Sequence, residues 1–373
     1  MKKNIRIYEM PLFHLTILML FFGAVMLYSA SSTIAINKFG WDKYAFYFNK
    51  HIVRILIGLI ALLIMYSINL KWLQQYSKHL LILSWILMLY AYFTASIYDL
   101  PTRRSFLING KNLFTTSDFA RFALIVFTAN FIDKNKKEIT GLKKILIEYI
   151  PYFSITMILI MRQPDFSSTF IISLIVISML IVSGLKVKFV GYLSIIGSLI
   201  AIFAYNTHNY VRIRVNNWWF YDPIENPTEQ MSRSLQALHN GGLFGQGFGK
   251  SLIKEGFMAE GHTDYILALI AEEMGFIVIL SLFIAFFIFY FITINISKSS
   301  PNIFCSMLCL GIAYNVLYYF LINSAYVVGI LPPTGLAVPF ISYGGSHTLF
   351  TLIAIGTVLN ISKYSNIYKK RYL

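Results

Sequence analysis

Hydrophobic and polar positions in this chain fall into long blocks rather than short alternations. Ten apolar stretches approach the roughly 20 residues that a helix needs to cross a bilayer. They are Leu12–Ala30, Ile52–Leu70, Leu80–Ile97, Phe119–Ile132, Ile145–Met161, Thr169–Gly184, Phe189–Tyr205, Asp264–Ile294, Phe304–Tyr326 and Pro339–Ile361. The pattern predicts an all-α, polytopic integral membrane protein of about ten transmembrane helices. Residues 1–373 read as a single transmembrane domain, with a long extracytoplasmic loop, 206–262, between helices seven and eight. The eighth stretch is long for one span and has to tilt or protrude. The fourth is short and carries Arg121. No internal repeat or low-complexity segment stands out.

The first block follows Lys2, Lys3 and Arg6 and ends in Ser29-Ala30-Ser31, which mimics a signal-peptidase site. It exceeds the about 7–15 apolar residues of a signal peptide, and more spans follow, so it is expected to remain as the first helix.

Composition agrees with the pattern. Charged residues make up 13% of the chain, against about 25% in soluble domains, and the mean hydropathy is +0.65. The net charge of +15 would raise nucleic acid as a partner of a soluble protein. Here the basic residues lie mostly between apolar blocks, and no compact basic patch with interleaved aromatics appears, so nucleic-acid binding is excluded. Lys134, Lys136, Lys137, Lys143 and Lys144 form the clearest cytoplasmic cluster. The positive-inside rule then puts both termini in the cytoplasm of a cell-membrane protein and the long loop outside. Cys305 and Cys309, four apart in one block, read as packing residues.

The candidate chemistry lies in charged groups at or inside the apolar blocks. Asp118 and Arg121, three apart, can share a helix face. Arg162 and Asp165 flank Gln163-Pro164. Asp264, Glu272 and Glu273 fall on the eighth span; carboxylates at that depth face a cavity or a cation, and an internal ion-pair network is the plainer alternative. At least one of Glu272 and Glu273 is expected to pair with a cation from another span. The long loop holds Asp222, Glu225, Gln230, a glycine run from Gly241 to Gly249, and His262. The run fits no nucleotide motif and reads most simply as turns. Breaks around Pro332-Pro333 and Ser342 precede the tenth helix; His51 and His347 read as structural histidines.

At these residues the chain resembles the SEDS proteins, the family of FtsW and RodA, over nearly its whole length. Ser117-Asp118-Phe119-Ala120-Arg121 resembles the family's PSExxK segment, with Asp for Glu and Arg for Lys. Arg162-Gln163-Pro164-Asp165 resembles its QPD motif. Gly241 to Gly249, Glu260-Gly261-His262-Thr263-Asp264-Tyr265 and Glu272-Glu273-Met274-Gly275 resemble its GGLxGxGxG, PExHTDF and EExG run. Leu331 to Gly335 and Pro339 to Ser346 resemble its LPxTG and PxxSYGGS run.

The resemblance implies a peptidoglycan glycosyltransferase that polymerises lipid II on the outer face of the cytoplasmic membrane. It further implies a class B penicillin-binding transpeptidase and other division or elongation membrane proteins as partners. The family's catalytic aspartate lies in a DPxGxGYQ context of the long loop. Asp222-Pro223 is the loop's Asp-Pro, but Ile224 to Gln230 replace the rest. Another gap placement puts Asn226 at that position; Asp222 is favoured because an amide cannot act as a base. Arg121 and Arg162 are candidates to meet the pyrophosphate, with Asp118, Gln163, Asp165, Gln230, His262, Asp264, Glu272 and Ser342 as further substrate-site residues. A divalent cation, Mg2+ or Mn2+, could assist there, although no metal-ligand cluster is evident. A lipid II flippase and a non-catalytic scaffold are the rival readings. The Leu27–Ser31 and Phe46–Arg54 stretches look more like the division branch, which would place the protein at the septum.

Overall fold

The computed structural model describes residues 6–97, 103–109, 111–136, 144–221, 230–253 and 261–372. Each of the ten apolar stretches falls on a helix: α1 Arg6–Phe39, α2 Phe46–Ser67, α4 Ser77–Ile97, α5 Thr116–Lys134, α6 Ile150–Arg162, α7 Phe166–Val182, α8 Val187–Thr207, α11 Ile266–Lys298, α12 Ile303–Val327 and α13 Gly345–Tyr372. Between them lie three short helices, α3 Leu70–Gln75, α9 Asn209–Trp219 and α10 Gln230–Gly241. One hairpin joins α4 to α5, with β1 Ser105–Ile108 antiparallel to β2 Lys111–Thr115. Among the described residues, seven helical segments are long and apolar enough to cross a membrane, and Phe166–Val182 is a shorter apolar helix.

Burial sorts these helices into an inner and an outer set. α2 turns Val53, Leu56, Ile57, Ile60, Leu63 and Ile64 outward. A face so apolar would be untenable in water and suits lipid. By contrast, every residue of α5 from Ala120 to Ile132 is buried. Protein rather than lipid therefore surrounds the short fourth stretch and its Arg121. α12 and α13 share this interior, where Phe286 of α11 stacks on Phe320 of α12 with ring centroids 3.9 Å apart. Cys305 and Cys309 are buried free thiols. The protein is a multi-pass membrane protein.

The eighth apolar stretch is not one unbroken helix: α11 is interrupted at Gly275, whose φ of 79° and ψ of 176° are not helical. The tenth helix begins at Gly345 rather than Pro339, and residues 331–344 run without a helix. Pro332, Pro333 and Pro339 lack the amide hydrogens a helix would use. This irregular backbone is enclosed by protein: Gly23 of α1 packs so closely that a Cβ there would lie 2.3 Å from the Phe340 carbonyl oxygen. Among its described residues the long loop contains α9 and α10.

The ends of the helices fix polarity. Tyr66 near the end of α2 donates to Glu9 of α1 at 2.7 Å, and Asn360 of α13 donates to the Met65 carbonyl at 2.8 Å. The first turns of α1 and the later turns of α13 therefore share one end of the bundle. At the other end lie the start of α2, the hairpin, the starts of α5, α7, α11 and α13, and α9 and α10.

Candidate active site at one end of the bundle

The start of α5 carries the centre of a polar network. Asp118 Oδ1 lies 3.0 Å from Arg121 Nη2, one turn later on the same face. Arg121, 3% exposed, also donates to the Tyr319 hydroxyl of α12 and lies over its ring. Its Nη2 is 3.2 Å from His347 Nδ1 of α13. A guanidinium taken so far from water needs these partners to offset its desolvation. Reaching a pyrophosphate would require Arg121 to exchange at least one of them.

The Gln-Pro-Asp turn joins the same network. Asp165 Oδ1 accepts from the Ser168 amide at 3.1 Å and so caps α7, while Oδ2 accepts from Ser117 Oγ at 3.0 Å. Arg104, just before β1, stands 3.7 Å from Asp165. Gln163 donates to the Met88 carbonyl at 3.0 Å and ties the turn to α4. Ser346 Oγ accepts from the Thr115 amide at 2.7 Å. The structure thus brings together Asp118, Arg121, Gln163 and Asp165. Arg162 is exposed at the end of α6 and forms no ion pair among the described residues.

A second group surrounds the irregular segment before α13. The Asp264 carbonyl accepts from Asn323 Nδ2 at 2.9 Å. A Cβ on Gly335 would stand 3.3 Å from Asp264 Oδ2 and 3.6 Å from Arg214 Nη2, so that carboxylate and that guanidinium converge on one glycine. Arg214 also donates to the Pro333 carbonyl at 3.1 Å. Ser342 is buried and its Oγ accepts from the Val338 amide at 2.8 Å, a turn-stabilising bond rather than an open hydroxyl. The His262 carbonyl accepts from the Tyr343 amide at 3.1 Å, and the His262 ring lies 4.8 Å from that of Tyr47.

The glycine run docks on the break in α11. Gln246 and Gly247 donate their amides to the carbonyls of Glu272 and Glu273 at 2.9 Å each. A Cβ on Gly245 would lie 2.3 Å from the Glu273 carbonyl oxygen. The Glu272 side chain accepts from Asn240 Nδ2 at 3.1 Å and from Ser251 Oγ, and Glu273 accepts from Ser29 Oγ of α1 at 2.7 Å. Among these partners are an amide and two hydroxyls.

Asp222, Glu225 and Asn226 lie outside the described residues. The flanks of their segment are anchored: Trp218 Nε1 donates to the Gly329 carbonyl at 2.8 Å, and Ser234 Oγ donates to that of Val327 at 2.7 Å. Gln230 opens α10, half-buried. Among the described residues no three His, Cys, Asp or Glu side chains converge as a metal site. Sequence reasoning missed Tyr319 and Arg214. Tyr319 sits inside an apolar block with no local sign of a charged neighbour, and Arg214 gains meaning only from what packs beside it.

A bundle of mostly apolar helices with acidic, basic and amide side chains gathered at one end defines a polytopic membrane protein with a polar site at one membrane boundary. Residues 10–367 match the family described as Cell cycle protein, FtsW/RodA/SpoVE. The chain belongs to that family. It is 31% identical over 361 residues to the probable peptidoglycan glycosyltransferase FtsW of Trichlorobacter lovleyi, covering 95% of this chain and 93% of that one. It is 29% identical to the stage V sporulation protein E of Bacillus subtilis, covering 94% and 96%. Its fold is shared with a chain of a peptidoglycan synthase complex, at a TM-score of 0.76 and 18% identity over 95% and 97% of the two chains. It is likewise shared with the rod shape determining protein RodA of Thermus thermophilus, at a TM-score of 0.64 and 17% identity over 95% and 96%.

Proposed function

We propose that this protein is a peptidoglycan glycosyltransferase that polymerises lipid II into glycan strands at the outer face of the cytoplasmic membrane. In this reading both termini are cytoplasmic, and the network end of the bundle faces outward. A class B penicillin-binding transpeptidase and further division-complex proteins are its partners, and the septum is its place of work. The observation that carries the reading is the polar network at one end of the bundle, where Asp118, Arg121 and Asp165 gather. Trp218 and Ser234, on the described residues either side of 222–229, bond to the stretch 327–329 at the same end. The full-length relatives named peptidoglycan glycosyltransferase support it.

The reaction needs few parts. The acceptor sugar hydroxyl attacks C1 of the donor sugar. As the new C1–O bond forms, the hydroxyl proton passes to a carboxylate, assigned here to Asp222. The bond from C1 to the diphosphate breaks, and its electron pair leaves on the diphosphate oxygen, where cationic donors stabilise it. Lipid-linked reactants enter sideways from the bilayer, which fits a protein built almost entirely of membrane helices.

Glycan polymerisation by the purified protein tests this. Asp222→Asn should lose about 10²–10⁴-fold in rate, the ordinary worth of a general base. Glu225→Gln and Asn226→Ala should stay near normal. Loss in Glu225→Gln with normal Asp222→Asn would move the base to Glu225. Full activity in all three would remove this segment from the chemistry.

A further inference from the structure

Arg54 lies on α2, one turn after His51, half-buried where α2 packs along α13. Its guanidinium carbon is 5.0 Å from the centroid of the Tyr343 ring. A Cβ on Gly345 would come within 2.5 Å of Arg54 Nε. The guanidinium therefore rests against the first residue of the 28-residue helix α13. The first amides of a helix carry partial positive charge, and α13 has no acidic residue in its first turn to balance it. A fixed cation packed on a like-signed helix end is an arrangement that an anion resolves.

The described residues do not supply that anion. Asp118 approaches the first turn of α13 through His347, at 3.7 Å, but is held by Arg121 at 3.0 Å. Arg54 itself makes no hydrogen bond or ion pair with a described residue. An independent observation points the same way. His51 is completely buried, and neither ring nitrogen has a hydrogen-bond partner. Its ring centroid lies 6.0 Å from that of Tyr343, the ring that also carries Arg54. A buried imidazole without a partner is an exception that needs an explanation.

We infer that Arg54, with the amino end of α13 and with His51 beside it, binds the diphosphate of the lipid-linked donor. This rests on the glycosyltransferase reading and names the cation that receives the leaving group. The planar fork of arginine suits two phosphate oxygens at once, and the Tyr343 face holds its plane. Gly345 is required because any side chain would displace the guanidinium.

The test uses the full-length protein, with farnesyl diphosphate, farnesyl monophosphate and phosphatidylglycerol as competitors of lipid II polymerisation. Direct binding of farnesyl diphosphate is followed by calorimetry. Arg54→Gln should raise KM for lipid II and weaken farnesyl diphosphate by about 10–100-fold, the range of a lost charged hydrogen bond. Arg54→Lys should fall between, because a point charge remains without the fork. Farnesyl diphosphate should compete better than the monophosphate or phosphatidylglycerol. Unchanged KM and unchanged diphosphate binding in a folded Arg54→Gln protein would overturn the inference. So would phosphatidylglycerol competing as well as the diphosphate, which would make this an ordinary lipid contact. If Arg54→Gln does not fold, unchanged diphosphate binding by Arg54→Lys overturns it. Arg54-dependent diphosphate binding in a protein that never polymerises lipid II would instead sink the glycosyltransferase reading and leave this site standing.

Discussion

Gly245 and Gly275 meet backbone to backbone. A Cβ on Gly275 would stand 2.5 Å from the Gly245 amide nitrogen, and a Cβ on Gly245 would stand 2.6 Å from that of Gly275. Both residues hold positive φ, 78° and 79°. The contact locks the glycine run of the long loop onto the break in α11, and it explains why a helix of this length is interrupted where it is. Gly275→Ala should therefore destabilise the protein by about 3 kcal/mol or more, combining backbone strain with overpacking. Gly197→Ala, on α8 with nothing within 4 Å of its Cβ position, is the neutral control. Equal thermal midpoints for the two variants in detergent would show that the interlock does not hold the break.

The Asp118–Arg121 pair should behave as a unit. Arg121→Ala leaves a carboxylate 13% exposed without its principal cation, and Asp118→Asn leaves a nearly buried guanidinium. Each single change should cost about 3–5 kcal/mol, while the double change should cost less than the sum. Thermal or denaturant unfolding of all four proteins measures this. Additive losses would mean that the two side chains do not depend on each other.

Glu272 should tolerate amide replacement poorly. Its carboxylate accepts from both Asn240 and Ser251, and a glutamine can offer only one acceptor oxygen to two donors. The loss expected in Glu272→Gln is about 1–3 kcal/mol, the cost of leaving a buried donor unmatched. Adding Ser251→Ala should recover part of it. A Glu272→Gln protein with normal unfolding and normal polymerisation would show that this carboxylate holds nothing in place.

Topology can be read with a single thiol, because Cys305 and Cys309 are both buried. A cysteine at Phe244, 79% exposed at the tip of the glycine run, should react with a membrane-impermeant maleimide added to intact cells from outside. A cysteine at Lys136, exposed just after α5, should react only once the membrane is opened. The reverse pattern would invert the assigned orientation.

The alternation of apolar blocks and basic connectors determined that this is an all-α membrane protein, and it located every long helix. That much is legible because a lipid-spanning helix must be apolar over a length set by the bilayer, whatever its neighbours. The sequence also marked Asp118, Arg121, Gln163, Asp165 and the deep glutamates, since polar groups inside apolar blocks need a reason to be there. Only the tertiary structure decided what answers them. Arg121 meets Tyr319 across 198 positions and His347 across 226, and Glu273 meets Ser29 across 244. No local pattern encodes such separations. The break at Gly275 escaped for the same reason. A glycine inside an apolar run is compatible with an intact helix, and it becomes a corner only when the chain near Gly245 takes up the carbonyls that the helix releases.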